Sequence, residues 1–459
     1  MSRPRRLLWI FAACLALALA YGGWTLSRLA PVGTGYVAKM LCSGVFVSGR
    51  PASSILEEDV RADSHPLLGL VSASVDDERR RTSASFLGMA TRVAQYRPGL
   101  GCTLALGVDA EQLASAAPAV SSTRERDELP AAAPPAGVDA HRLRDAMDWA
   151  FADRRSQRTR AVVVLHDGRI VAERYAAGFS AHMPLPGWSM SKTVTAALAG
   201  ILVREGRLSL ETADLLPEWR APRDPRSRIT LDQLLRMTDG IAFAERYEDP
   251  SSDVVVMLFG TGDSSAYAAS KPLDAQPGTR WRYSSGTSNA LIRALRAASG
   301  RSPEQFGAFA RTALFEPTGM QHAVLETDAA GMPVASSYVY ASPHDWVRFG
   351  QLLMQDGVWK GRRILPAGWV RYLTTLTPQS TRRDFGAHVW LRVPPPYNNG
   401  REASLLPADA FHLVGHEAQL MTVIPSRKLV VLRLGLTRRP GIWDHEALLT
   451  RLLEAFRQE

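Results

Sequence analysis

The sequence predicts an α/β (α+β) protein. An antiparallel sheet drawn from both ends of the main domain is flanked by terminal helices, a helical region is inserted between the strands, and an apolar helix precedes the whole. Three observations predict this. Strand-like runs lie near residues 161–175 and again over 411–434. Between them the pattern is mainly helical and is broken by Pro and Gly. One uncharged apolar run, Leu7 to Leu26, stands near the N-terminus.

Composition bounds the rest. With 459 residues, 46% hydrophobic and 22% charged, the chain can bury a large core in more than one domain. This excludes a disordered chain, a collagen-like fibre and a disulfide-dense mini-protein. Because a single run is long enough to span a bilayer, it also excludes a bundle of membrane helices. The net charge is +9, but the basic residues are dispersed and no Lys/Arg tract carries interleaved aromatics. Nucleic acid is therefore not an expected partner.

Residues 1–30 read as a transmembrane anchor or a signal. Arg3, Arg5 and Arg6 precede the apolar run, which favours leaving that end in the cytoplasm. A cleaved signal has a shorter apolar core and a small-x-small site. Here the run ends in Tyr21-Gly22-Gly23-Trp24, and Trp24 and Arg28 are placed like interfacial anchors. The expectation is an inner-membrane protein, single-pass, with its main domain in the periplasm; secretion after cleavage is the alternative. Cys14 is followed by further apolar residues, which does not suit a lipid-attachment site. Cys42 and Cys102 are the two cysteines beyond the run, and in an oxidising compartment they read as one disulfide, with two buried thiols as the alternative.

Residues 31–113 read as a small N-terminal module with Gly-rich turns, and 114–138 as an Ala/Pro/Ser-rich linker carrying a charged knot at Arg124–Glu128. The main domain is expected over 139–459. It opens with a helix over Asp139–Asp153. Two β-rich runs, Ala161–Leu165 and Ile170–Tyr175, meet at Asp167-Gly168 as a hairpin. Helices are expected at Val194–Glu205, Leu231–Met237, Asn289–Ala298 and Pro303–Leu314. Strands follow at Ala387–Val393, Phe411–Val414, Leu420–Ile424 and Leu429–Leu434, and a helix closes the chain at Asp444–Phe456.

The chemistry centres on Trp188-Ser189-Met190-Ser191-Lys192-Thr193. A Ser-x-x-Lys at a helix start puts Lys192 one turn beyond Ser189, on the same face. Once buried, the lysine loses charge by desolvation and can take the serine proton. The helix N-terminus favours negative charge developing on an attacked carbonyl oxygen. The motif alone is weak, since a chain with five Lys has about 0.4 chance matches. It is joined by Tyr283-Ser284-Ser285, where a phenol and a hydroxyl precede another helix, and by Phe411–Gln419, where a strand edge could supply a second oxyanion N–H. His412 and His416 have the i, i+4 spacing of zinc ligands, but that spacing serves a helix and this stretch is β-like. No metal and no cofactor is expected.

Taken in order, Val164–Tyr175, Trp188–Thr193, Ile229–Gly240, Pro277–Asn289, Ser336–Ala341 with Asp345-Trp346, and Gly415–Pro425 resemble the β-lactamase-related serine hydrolase superfamily. That group includes class C β-lactamases, D,D-peptidases, family VIII esterases and 6-aminohexanoate-dimer hydrolase. The resemblance covers about 139–457. It implies the β-lactamase/transpeptidase-like fold, Ser189 as nucleophile, Lys192 as base and Tyr283 as proton relay. It implies an oxyanion hole from the backbone N–H groups of Ser189 and His416, with Gly415, Ser285 and Gln419 in the substrate-binding set. Two departures stand out. Ser285 falls where β-lactamases carry Asn, and Leu413-Val414-Gly415 lacks the cation of their third motif unless His412 or His416 replaces it. The Gly415–Gln419 run looks most like the 6-aminohexanoate-dimer hydrolase branch. The expected activity is therefore that of a carboxylesterase or amidase on a small ester or amide. A D,D-peptidase or β-lactamase, and a silent binding protein on the same fold, are the alternatives.

Overall fold

Helix α1 (Arg3–Cys42) runs unbroken for 40 residues and changes surroundings midway. Residues 9–24 are exposed, whereas Val37, Ala38 and Leu41 are fully buried. The computed structural model describes residues 3–62, 64–115 and 128–456. Residues 116–127 of the expected linker, with most of its charged knot, lie outside them.

The N-terminal module is a four-stranded antiparallel sheet in sequence order: β1 (Val71–Asp76), β2 (Arg81–Phe86), β3 (Met89–Arg97) and β4 (Gly101–Leu104). Its strands pack along α1, where Thr82 Oγ1 donates to Ala38 O at 2.7 Å and Thr34 Oγ1 to Ala90 O at 2.6 Å. A disulfide joins Cys42, the last residue of α1, to Cys102 on β4 across 6.0 Å between Cα atoms.

The main domain opens with α2 (Ala140–Ala150), capped by the Asp139 carboxylate. The hairpin strands are β5 (Thr159–His166) and β6 (Arg169–Tyr175). Their turn has positive φ at Asp167 and Gly168, which suits Asp-Gly. Helix α3 (Ser191–Arg204) is buried almost throughout, consistent with its apolar character on every face. Helix α4 is Ser285–Ser299 and α5 is Pro343–Met354. Strands β7 (Phe411–Gly415), β8 (Gln419–Ile424) and β9 (Leu429–Gly435) precede the closing helix α6 (His445–Ala455). The main sheet is antiparallel, ordered β7-β8-β9-β5-β6, so the two ends of the domain meet where β9 pairs with β5. The fold is β-lactamase/transpeptidase-like, as the sequence led us to expect.

Two expected elements differ. Ala387–Val393 is not a strand. Gly386 N–H closes back on Val389 O, His388 has a left-handed φ of +59°, and Trp390 makes only isolated bridges to Phe385 and His412. The helix expected over Pro303–Leu314 is split into Pro303–Gly307 and a wider turn at Arg311–Phe315.

The module shares a core with the main domain. Val37, Leu41 and Val60 pack in one cluster with Trp188, Phe243, Met257, Phe259 and Tyr338. At its centre the buried Lys39 ammonium pairs with the buried Glu326 carboxylate, which also accepts from Ser43 Oγ at 2.9 Å and Cys102 N–H at 2.7 Å.

Candidate active site

Gly187 begins the site. Its N–H donates to Val339 O at 2.8 Å, and a Cβ there would lie 2.2 Å from the Trp346 ring. Trp188 follows with φ +46°, a strained conformation for a bulky residue. It starts the short turn Trp188–Met190, which delivers Ser189 to the head of α3. Ser189 is 9% exposed.

Lys192, one turn on, is buried with its Nζ among three uncharged oxygens. It lies 2.9 Å from Ser189 Oγ and 2.9 Å from Ser285 Oγ, and it donates to Ser336 O at 3.2 Å. Burial lowers the ammonium to about 8, against a smaller upward pull from the Glu245 charge. Tyr283 stands over this pair, with Lys192 Nζ 4.9 Å from its ring centroid. Burial raises its phenol well above the ordinary value, and a hydrogen bond with Ser189 opposes that rise. Trp390 and Phe385 hold the ring at 5.4 and 6.0 Å.

Ser285 is the first residue of α4 and is buried. The Glu245 carboxylate accepts from its N–H at 2.8 Å and its hydroxyl at 2.5 Å, and from Tyr247 OH at 2.8 Å. The sequence reading missed Glu245 and Tyr247. They lie in an acidic loop, Glu245–Asp249, with no periodicity to mark them.

Gly415 ends β7 beside the Trp188–Met190 turn. A Cβ there would stand 2.2 Å from Gly187 O, so only glycine allows this approach. His416 follows, 43% exposed at its side chain. Its ring stacks on Tyr247 at 5.2 Å and meets Trp188 edge-on at 5.7 Å. Glu417 and Ala418 then both adopt positive φ. That turn is pinned by Arg433, which donates to Ala418 O at 2.8 Å, and by Arg438, which donates to Glu417 Oε1 at 2.8 Å. Arg438 also donates to Asp59 O and Ala62 O, so the module braces the turn from behind.

Two sequence expectations are corrected. Gln419 does not present its amide to a substrate, because its Nε2–H donates to Gly435 O at 2.5 Å and its Oε1 accepts from Gly435 N–H at 2.9 Å, stitching β8 to β9. His412 cannot replace the missing cation, because it is fully buried, 2.8 Å from Thr422 Oγ1, and lowered to about 3 by that burial. Nor does His412 share a site with His416, which stacks on Tyr247 instead. Leu413 and Val414 are likewise packed in the cores on the two sheet faces.

The fold, and a serine–lysine pair at the head of a buried helix, define a hydrolase of the β-lactamase type. The family model described as Beta-lactamase matches residues 106–455, and the chain belongs to that family. The match begins ahead of residue 139, within the segment read from sequence as module and linker. Among curated relatives, the 6-aminohexanoate-dimer hydrolase of Paenarthrobacter ureafaciens is 26% identical over 224 residues, 46% of this chain and 56% of that protein. The chain spans little more than half the length of the curated relatives it matches. Among solved structures, a family VIII carboxylesterase superposes with a TM-score of 0.54 at 17% identity, over 72% of this chain and 98% of that one. A penicillin-binding protein homolog from Caulobacter crescentus gives 0.54 at 17% identity, over 71% and 98%.

Proposed function

We propose that this protein is a membrane-tethered periplasmic serine hydrolase that cleaves ester or amide bonds through an acyl-enzyme on Ser189. One observation carries the proposal: the buried Lys192 Nζ stands 2.9 Å from Ser189 Oγ, with its charge destabilised by burial.

Neutral Lys192 takes the Ser189 proton as Oγ bonds to the substrate carbonyl carbon. The backbone N–H groups of Ser189 and His416 receive the oxyanion. The bond to the leaving group then breaks, and the proton held by Lys192 passes through Tyr283 to the departing alcohol or amine. Water gives a proton to neutral Lys192 as its oxygen adds to the acyl carbon, the carbon–Oγ bond breaks, and that proton returns to Ser189 Oγ. Esters and amides are favoured over β-lactams because Leu413-Val414-Gly415 offers no cation for a carboxylate, His412 is sealed in the core, and the His416 ring is engaged in packing on Tyr247 and Trp188. The sequence likeness to 6-aminohexanoate-dimer hydrolase supports the same reading. The apolar first half of α1, its N-terminal arginines and the Cys42–Cys102 disulfide support export and tethering.

The test compares the detergent-solubilised full chain with its Ser189→Ala variant on short nitrophenyl esters. Turnover is expected in the wild type and its loss in the variant; full activity in the variant would sink the proposal. A protein labelled by fluorescent penicillin but inert to esters would move the assignment to a D,D-peptidase or β-lactamase.

A further inference from the structure

Outside α1, six large apolar side chains are exposed among the described residues: Leu67, Leu70, Leu87, Met89, Leu405 and Ile442. Four of the six gather at one end of the module. Val71 pairs with Phe86, so Leu70 and Leu87 leave the β1–β2 ribbon at the same end. Phe86 pairs with Met89, which makes Leu87-Gly88 the hairpin tip. The short helix Pro66–Leu70 adjoins it, and Leu68 from that helix meets α1 at Gly33, 3.7 Å from a Cβ placed there.

The direction of the hairpin gives this patch meaning. The ribbon crosses α1 first at Ala38, through Thr82, and then at Thr34, through Ala90. It therefore advances toward the N-terminal half of the helix. The tip continues two to three residues past Ala90, roughly 7–10 Å at strand rise. The ribbon lies oblique to α1, because the four strand residues from Ala94, opposite Thr82, to Ala90 advance about 13 Å while the helix advances about 6 Å from Ala38 to Thr34. The tip therefore reaches back about two to three residues from Thr34. Beyond it Ala30 and Leu26 are packed against the same cluster, which brings the covered part of α1 up to Arg28. Arg28 itself lies 4.4 Å over the Trp24 ring, the pairing of an aromatic and a cation found where a helix leaves a bilayer. Ahead of that point, from Trp9 to Leu19, α1 exposes only apolar surface.

We propose that Leu67, Leu70, Leu87 and Met89 form a second bilayer contact, a collar around α1 that seats the module in the outer surface of the membrane. The occupant is lipid, because the patch continues the apolar surface of α1 itself and ends beside its interfacial Trp24–Arg28 pair. The module would then hold the hydrolase domain at a set height, since Tyr36, Lys39 and Leu41 of the same helix are embedded in that domain. The proposal rests on the reading of α1 as a retained anchor.

The test reconstitutes the full chain into phosphatidylcholine–phosphatidylglycerol vesicles with an environment-sensitive fluorophore on single cysteines. Native Cys14 is free and reports the anchor directly. Leu67→Cys, Leu87→Cys and Leu405→Cys, each in a Cys14→Ala background, report the collar and a remote exposed leucine. The labels at 67 and 87 are expected to be quenched severalfold more by shallow nitroxide lipids than the label at 405, with blue-shifted emission. Equal quenching at 87 and 405 while Cys14 is quenched by deep nitroxides would overturn the collar and keep the anchor. A water-exposed Cys14 label would instead overturn the anchor reading. A label at 87 shielded from both lipid nitroxides and aqueous iodide would mean that protein, such as a second copy, covers the patch, and would also overturn the proposal.

Discussion

Glu245 grips Ser285 twice, accepting from its backbone N–H at 2.8 Å and from its hydroxyl at 2.5 Å. Ser285 Oγ is thereby held 2.9 Å from Lys192 Nζ, the same nitrogen that lies 2.9 Å from Ser189 Oγ. The acidic loop thus reaches Lys192 through one hydroxyl.

Glu245→Gln removes a charge that favours the protonated form of Lys192. The lysine should then lose its proton at lower pH, so the rise of kcat/KM with pH should move to lower pH. A pH–rate profile measured in parallel with the wild type checks this. A shift to higher pH, or none, would contradict the assigned role.

The proposed mechanism needs Lys192 neutral, and burial brings it to about 8. Activity should therefore climb through that region and level off above it, falling at lower pH as the ammonium forms. Lys192→Ala should cut kcat by about 10²- to 10⁴-fold and abolish that limb of the profile.

Gln419 serves stability. Gln419→Ala leaves the buried N–H and C=O of Gly435 without their side-chain partner, a cost of about 1–3 kcal/mol for each unsatisfied group. Thermal unfolding should occur several degrees lower while KM stays near the wild-type value. A collapse of activity with an unchanged Tm would instead place Gln419 at the substrate.

Glu326→Gln leaves the Lys39 ammonium buried without its counter-ion, at a cost of about 3–5 kcal/mol. The pair joins α1 to the hydrolase domain, so the loss should appear as a lower Tm of the solubilised full chain. Adding Lys39→Met to Glu326→Gln should restore much of it, because the uncompensated charge is then gone while the Gln oxygen still accepts from Ser43 Oγ and Cys102 N–H.

Much of this molecule could be read from local pattern. The β5–β6 hairpin was legible because Asp167-Gly168 suits left-handed φ. Ser189 and Lys192 were legible because a helix start converts a three-residue spacing into proximity. Glu245 was not, since its role depends on a loop folding back across 40 residues to Ser285. Gln419 was misassigned for a related reason: a strand residue beside a site can face the sheet, and its partner Gly435 lies on another strand.

By itself, then, the sequence determined the β5–β6 hairpin, the strands β7 to β9, the closing helix, the apolar run at the N-terminus and the serine–lysine spacing at a helix start, because period, turn chemistry and spacing are local properties. Tertiary structure alone decided that α1 passes from an exposed apolar half into the core of the hydrolase domain. It decided too that His412 is sealed in the core while His416 reaches the site, and that Arg438 braces the site turn against the module. These depend on desolvation and on contacts between residues hundreds of positions apart, which only the packed chain brings together.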